Sequence, residues 1–249
     1  MAEPRRLLIL GGTGEALALA ARVAALPGLQ VITALAGRTR APARPVGEVR
    51  TGGFGGADGL AQYISETNIS VVVDAAHPFA AQISQNAAEA CARAGVRRLM
   101  LKRPPWRKVE GDDWIEVDDI PAAARALPAA ARRVFLAIGR QELAPFAVLA
   151  ERWFLLRLVE APAEPLPLAQ HQLVIGRGPF IAAAERQLLA GYGIEAVVSK
   201  NSGGAATYAK LAAARALGLP VVMVRRPPLP DGPRVETVDE AVEWVEEQL

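Results

Sequence analysis

Apolar runs recur along the chain at residues 7–10, 31–36, 69–73, 99–101, 134–138, 173–175, 196–198 and 221–224, with helix-like stretches between them. Runs lacking polar alternation suit strands covered on both faces, as in a parallel sheet whose crossover helices flank it. The alternation therefore predicts an α/β fold.

Two stretches of this pattern match each other. Residues 91–105 read CARAGVRRLMLKRPP and residues 213–228 read AARALGLPVVMVRRPP, each a helix end, a strand and a basic Pro-Pro stop. Downstream, 114–118 leads into a helix-like 122–127 as 235–239 leads into 241–248; upstream, 6–11 resembles 133–139. Three pairs in one order predict two Rossmann-like parallel-sheet domains, residues 1–129 and 130–249, with an interdomain cleft. Pro104-Pro105 and Pro227-Pro228 cannot continue a central ladder, so they end strands at the carboxyl edge, where open α/β sheets collect ligands.

Composition narrows the class. Of 249 residues 51% are apolar and 22% charged, enough for a substantial core. A net charge of +2 argues against nucleic-acid binding. One cysteine and two histidines leave no internal disulfide and no ready zinc cage. No apolar run reaches membrane-spanning length and no signal-like segment opens the chain, so a cytoplasmic protein is expected. The oligomeric state is open, a monomer being compatible. Only Lys102, Lys108, Lys200 and Lys210 are lysines among 28 basic residues. The arginine fork favours carboxylate and phosphate, which makes anionic ligands the first expectation.

In the first half, the strand at 7–10 runs into Gly11-Gly12-Thr13-Gly14-Glu15 and then a helix over 15–25. Glycines admit an anion close to the backbone, and amides at a helix start stabilise its charge. Leu17 replaces the third glycine of the dinucleotide fingerprint, and a purely structural turn is the alternative. Where an NAD site carries an acidic side chain, this chain has Arg38-Thr39-Arg40, which suits a ribose 2′-phosphate and hence NADPH; a solvated basic loop is the alternative. Gly52, Gly53, Phe54 and Gly55 are expected beside the cofactor, with Phe54 as an apolar wall; a mobile surface connection is the equal alternative. His77, followed by Pro78 and Phe79, stands where the fourth strand ends, its pKa near neutrality suiting proton transfer; helix capping is the alternative.

In the second half Gly139 is matched to Gly11, but Arg140-Gln141-Glu142 follows it and the glycine turn is lost, so no pyrophosphate site is expected there. Ser199-Lys200-Asn201-Ser202-Gly203-Gly204 lies between a strand and a helix through Thr207, Lys210 and Leu211 and reads as a second anion site without Walker spacing. Arg140 and Arg177 are candidate carboxylate partners, a surface arginine being the equal alternative for Arg177. Trp106, Trp153 and Trp244 read as packing residues, and His171 is given no function.

LGGTGEA at 10–16, LAGRT at 35–39, GGFGG at 52–56, DAAHPFA at 74–80 and SKNSGG at 199–204 together make the chain resemble the precorrin-6A reductases of cobalamin biosynthesis. The resemblance implies two Rossmann-like domains with the substrate between them. It also implies NADPH-dependent reduction of a carbon–carbon double bond of the tetrapyrrole precorrin-6A, giving precorrin-6B. It brings no metal site, and it leaves His77 and Lys200 as the proton-handling candidates. Ala76 stands where that family often has threonine, so no hydroxyl acts there. A cobalt-precorrin-6A reductase and a non-catalytic NADP-binding sensor are the alternatives.

Overall fold

The computed structural model describes residues 5–37 and 43–249. The chain divides into two compact units, Met1–Pro104 with Pro227–Leu249, and Pro105–Arg226.

The first unit contains β1 (Arg5–Leu10), α1 (Gly14–Val23), β2 (Leu29–Leu35), β3 (Glu48–Thr51), α2 (Gly56–Glu66), β4 (Ile69–Asp74), α3 (Ala81–Ala94) and β5 (Arg97–Leu101). The second contributes β6 (Trp114–Val117), α4 (Ile120–Arg125), β7 (Arg133–Ala137), β8 (Trp153–Leu158), β9 (His171–Ile175), α5 (Ala182–Gly191), β10 (Ala196–Lys200), α6 (Ala209–Ala216) and β11 (Val221–Val224). The chain then returns to the first unit for β12 (Arg234–Val235) and α7 (Val238–Glu246).

Each unit holds a six-stranded sheet, ordered β12-β5-β4-β1-β2-β3 and β6-β11-β10-β7-β8-β9, and every pairing is parallel. Successive side chains of β1 leave opposite faces. Leu7 and Ile9 therefore join the core under α1 and α7, while Leu8 and Leu10 join the one under α2 and α3. All four are fully or almost fully buried, which is why the strand reads as one apolar run.

The two sheets have the same order, as the internal repeat implies, but the expected division at 129/130 does not hold. After Pro104-Pro105 the chain supplies β6 to the other sheet, beside β11; after Pro227-Pro228 it supplies β12 back, beside β5. The matched segments around 114–118 and 235–239 are thus the sixth strands of each other's halves. Hydrophobic pattern marks a strand but not its partner, and the prolines end β5 and β11 without a hairpin that would keep the chain in its own sheet.

The second repeat departs from the first after β7. Two short 3₁₀ turns, Arg140–Glu142 and Ala144–Phe146, stand where the first unit has α1. Strand register also shifts the expected match. Leu10 pairs with Asp74 and Ala137 with Ser199, next to Met100 and Met223, so Gly139 corresponds to Gly12 and not to Gly11.

Candidate active site

The carboxyl edge of the first sheet carries the glycine turn. Gly11 is required by close packing: a Cβ there would lie 2.8 Å from Thr33 Cγ2 and 3.3 Å from the Ala34 carbonyl. Gly12 has φ +105°, and added side-chain atoms at Gly12 or Gly14 would meet nothing within 4 Å. The backbone is therefore bare on the side a ligand would approach. Thr13 caps α1, its Oγ1 accepting from the Ala16 amide at 3.1 Å and donating to the Ala75 carbonyl at 2.8 Å. The Gly14 and Glu15 amides open the helix, where no earlier turn supplies a carbonyl and the dipole favours an anion. The Glu15 carboxylate pairs with Arg103 at 2.7 Å, so it is engaged at the rim of the turn.

The strand ends beside this turn hold a charge pair that the sequence pattern did not single out. Lys102 Nζ donates to Asp74 Oδ1 at 2.9 Å and to the Ala76 carbonyl at 2.8 Å, while Asp74 Oδ1 also accepts from the Ala76 amide at 3.1 Å. Both side chains are sealed, at 1% and 0% exposure, and Asp74 Oδ2 has no hydrogen-bond partner. Ala75 and Ala76 are thus held, the first by Thr13 and the second by the buried ion pair. A signal existed in the sequence: two core strands, 69–74 and 97–101, end against one Asp and one Lys of opposite sign. His77 Nδ1 accepts from the Phe79 amide at 3.2 Å, so a neutral ring carries its hydrogen on Nε2. The His77 carbonyl accepts from Ala80, which turns the chain at Pro78-Phe79 into α3.

Gly52, Gly53, Phe54 and Gly55 form the loop between β3 and α2. Arg50 Nη1 donates to the Gly52 carbonyl at 2.7 Å and Nη2 to the Gly53 carbonyl at 3.0 Å, with its guanidinium 3.9 Å from the Phe54 ring centroid. Phe54 also packs on Tyr63, at 5.1 Å between centroids. The Phe54 carbonyl rests on Gly59, where a Cβ would come within 1.8 Å. One face of the expected apolar wall is therefore already covered by an arginine. Arg38, Thr39 and Arg40 lie outside the described residues.

In the second unit the expected anion loop follows β10. Lys200 Nζ is paired with Glu142, at 3.0 and 2.8 Å to its two carboxylate oxygens, and Glu142 Oε2 accepts from the Gly139 amide at 2.9 Å. A carboxylate thus occupies the amide that corresponds to Gly12, and it rules out a phosphate at that point of the repeat. Ser199 is buried. Asn201 uses its whole side-chain amide on one residue: Oδ1 accepts from Trp106 N at 2.7 Å and Nδ2 donates to Trp106 O at 3.0 Å. Arg226 donates to the Asn201 and Ser202 carbonyls, each at 2.9 Å, and the Trp106 indole donates to the Gly204 carbonyl at 2.8 Å. Gly203 and Gly204 have φ +69° and +77°, which explains the glycines.

Helix α6 begins only at Ala209, so Thr207 is in the preceding turn and the glycines do not form the first turn of the helix as expected. Beside the loop, Trp106, Phe180, Gly204, Ala205 and Tyr208 line an apolar depression of about 440 Å³. The loop carrying the exposed Arg177 reaches the same place, since Phe180 N donates to the Ala206 carbonyl at 3.1 Å. Arg140 is exposed on its 3₁₀ turn. Trp106, expected only to pack, therefore also hydrogen-bonds the candidate loop through its backbone and its indole.

Among the described residues, no group of three or more His, Cys, Asp or Glu could hold a metal ion, and no helix is long and apolar enough to cross a membrane.

Against known proteins, residues 6–246 match the family model described as Precorrin-6x reductase CbiJ/CobK. The chain is 51% identical over 243 residues to a precorrin-6A reductase of Rhodococcus erythropolis, covering 96% of this chain and 97% of that one. It is 28% identical to a cobalt-precorrin-6A reductase of Priestia megaterium, covering 95% and 96%. A solved structure described as CobK precorrin-6A reductase superposes with a TM-score of 0.92 at 46% identity, covering 98% of this chain and 97% of that one.

Proposed function

The chain belongs to the precorrin-6x reductase CbiJ/CobK family, and on that footing we propose that it reduces a carbon–carbon double bond of precorrin-6A with NADPH, giving precorrin-6B in cobalamin biosynthesis. The observation that carries the reading is the bare glycine turn at the start of α1, keyed to Ala75 by Thr13. It fits a dinucleotide pyrophosphate, and its counterpart in the second repeat, filled by Glu142, does not.

When bound, the nicotinamide supplies the hydride. The protein's part is to bind, align and exclude water. The amides of Gly14 and Glu15 hold the pyrophosphate, and Gly12 lets it approach. Arg38, Thr39 and Arg40 take the ribose 2′-phosphate. The substrate's acetate and propionate groups are held by Arg140, Arg177 and the 199–204 loop, with the Trp106–Tyr208 depression against an apolar part of the macrocycle. His77 Nε2 and Lys200 Nζ are the two places from which a proton can be delivered to carbon. A soluble nucleotide reductant is consistent with work in the cytoplasm.

The metal-free substrate is favoured because the relatives named for it reach 46–51% identity, against 27–28% for those named for the cobalt substrate. The test is anaerobic incubation of the protein with NADPH and precorrin-6A, followed by loss of reduced-nicotinamide absorbance. Turnover faster with precorrin-6A than with its cobalt complex is expected. Turnover with the cobalt complex alone would transfer the assignment to that substrate, and none with either would leave the sensor.

A further inference from the structure

The first unit contains a cation, Arg50, that is held in place by backbone carbonyls and a ring and, among the described residues, by no carboxylate. Arg50 stands one residue before the end of β3, paired in register with Ala34 of β2. Two of its five N–H groups are spent on the Gly52 and Gly53 carbonyls, and its plane lies against Phe54. Among the described residues no carboxylate reaches it, and its other donors have no protein partner. Fixing a long side chain by two backbone carbonyls and a ring removes the rotamer freedom an arginine ordinarily loses on binding, so the fork is pre-organised for an anion.

Its location says which anion. Gly52 N donates to the Leu35 carbonyl at 2.9 Å, and a Cβ on Gly37 would lie 3.4 Å from Thr51 Cγ2, so the Arg50 loop adjoins the end of β2. The end of the second strand is where a Rossmann-type site distinguishes a ribose hydroxyl from a ribose phosphate. The described residues there, Leu35-Ala36-Gly37, offer no acidic group to a hydroxyl. The loop itself is bare at these glycines, since an added Cβ at Gly52 or Gly53 would meet nothing within 4 Å.

We propose that Arg50, pre-set on Phe54 and the Gly52–Gly53 carbonyls, is a specificity-determining residue that binds the 2′-phosphate of the nucleotide cofactor. This rests on the nucleotide reading above and adds a residue to it. A phosphate opposite a forked cation gains charge-assisted hydrogen bonds that a hydroxyl does not, so the effect is confined to the 2′-phosphorylated ligand.

The experiment is calorimetric titration of the intact protein and of Arg50→Gln with two pairs of ligands, 2′,5′-ADP against 5′-ADP and NADP⁺ against NAD⁺. Arg50→Gln should weaken the 2′-phosphorylated member of each pair roughly tenfold or more and change the other less than about twofold. An equal loss on both members means that Arg50 only braces the glycine loop, and it overturns the proposal. Should Arg50→Gln not fold, Arg50→Lys keeps the charge without the fork. A selective loss of 2′-phosphate binding then supports the assignment, and unchanged selectivity overturns it. Failure of the unaltered protein to bind any of the four ligands would instead defeat the nucleotide reading itself.

Discussion

Lys102 Nζ lies 2.9 Å from Asp74 Oδ1, and neither side chain reaches solvent. The pair closes two adjacent core strands at the edge where the glycine turn stands, and the Ala76 amide and carbonyl are bound between its members. Burying two charges costs several kcal/mol each, offset only while both remain. Lys102→Met should lower unfolding free energy by about 3–5 kcal/mol. The double variant Lys102→Met with Asp74→Leu should recover most of that loss. Urea denaturation of the three proteins measures both effects; equal stability of Lys102→Met and the unaltered chain would contradict the pairing.

Gly14→Ala separates folding from binding. Position 14 is the first residue of α1 with open space around it, so alanine should be neutral or stabilise the fold by up to about 1 kcal/mol. The methyl group stands where an anion would approach, so NADP⁺ affinity should fall while the melting temperature holds. Gly11→Ala should behave oppositely and lose stability first, because its methyl meets Thr33 and the Ala34 carbonyl. Melting curves and nucleotide titrations of the two proteins distinguish these outcomes.

Asn201→Asp keeps the acceptor to Trp106 N and removes the donor to Trp106 O. A buried carbonyl left unpaired, now facing a carboxylate, should cost about 1–3 kcal/mol. Asn201 also sits, through its carbonyl, on Arg226, so the variant should loosen the 199–204 loop and raise hydrogen exchange at Ser202–Gly204. Unchanged exchange there would refute the clamp.

Cys91 lies on the buried face of α3, and burial pushes its thiol pKa up to about 11, with Arg98 opposing and Asp74 adding to the rise. The thiolate is therefore scarce at neutral pH. A thiol reagent should label the folded protein slowly and the urea-unfolded chain rapidly; fast labelling of native protein would show that the thiol is neither buried nor raised.

Glu195 accepts from the Arg133 and Arg132 amides, bonds that hold its carboxyl below the usual carboxylate range. A depressed folded pKa means stability that is complete above the unfolded value and lost as pH falls through the folded one. Glu195→Gln should therefore flatten the acid side of the stability–pH curve and leave its neutral side nearly parallel to the original. An identical acid slope in both proteins would discount the interaction.

Much of the architecture was legible because local pattern and fold agreed. Residues 7–10, 71–73, 196–198 and 221–224 are strand residues buried on both faces, and the glycine turn stands between β1 and α1. Strand β8 is not read from the sequence: its four apolar residues, 153–156, run into Arg157, a charge that by itself suggests a surface position. In the fold that arginine is internal, its guanidinium paired with Glu185 at 2.5 Å and lying 4.1 Å from the Phe180 ring centroid. The Lys102–Asp74 pair escaped for the same reason: a charge in a core strand has no reading until its partner, far away in sequence, is known. Trp106 and Asn201 meet across 95 residues, a distance that no local signal spans.

The reciprocal loan of β6 and β12 bears on how such a protein can be dissected. A cut at any single peptide between Trp114 and Val235 leaves each piece with a strand whose neighbours belong to the other or without one of its own. Neither half is a transplantable module, because each sheet is completed by a strand that the other half of the chain supplies. Fragments split at 129/130 should regain native structure only when refolded as a mixture.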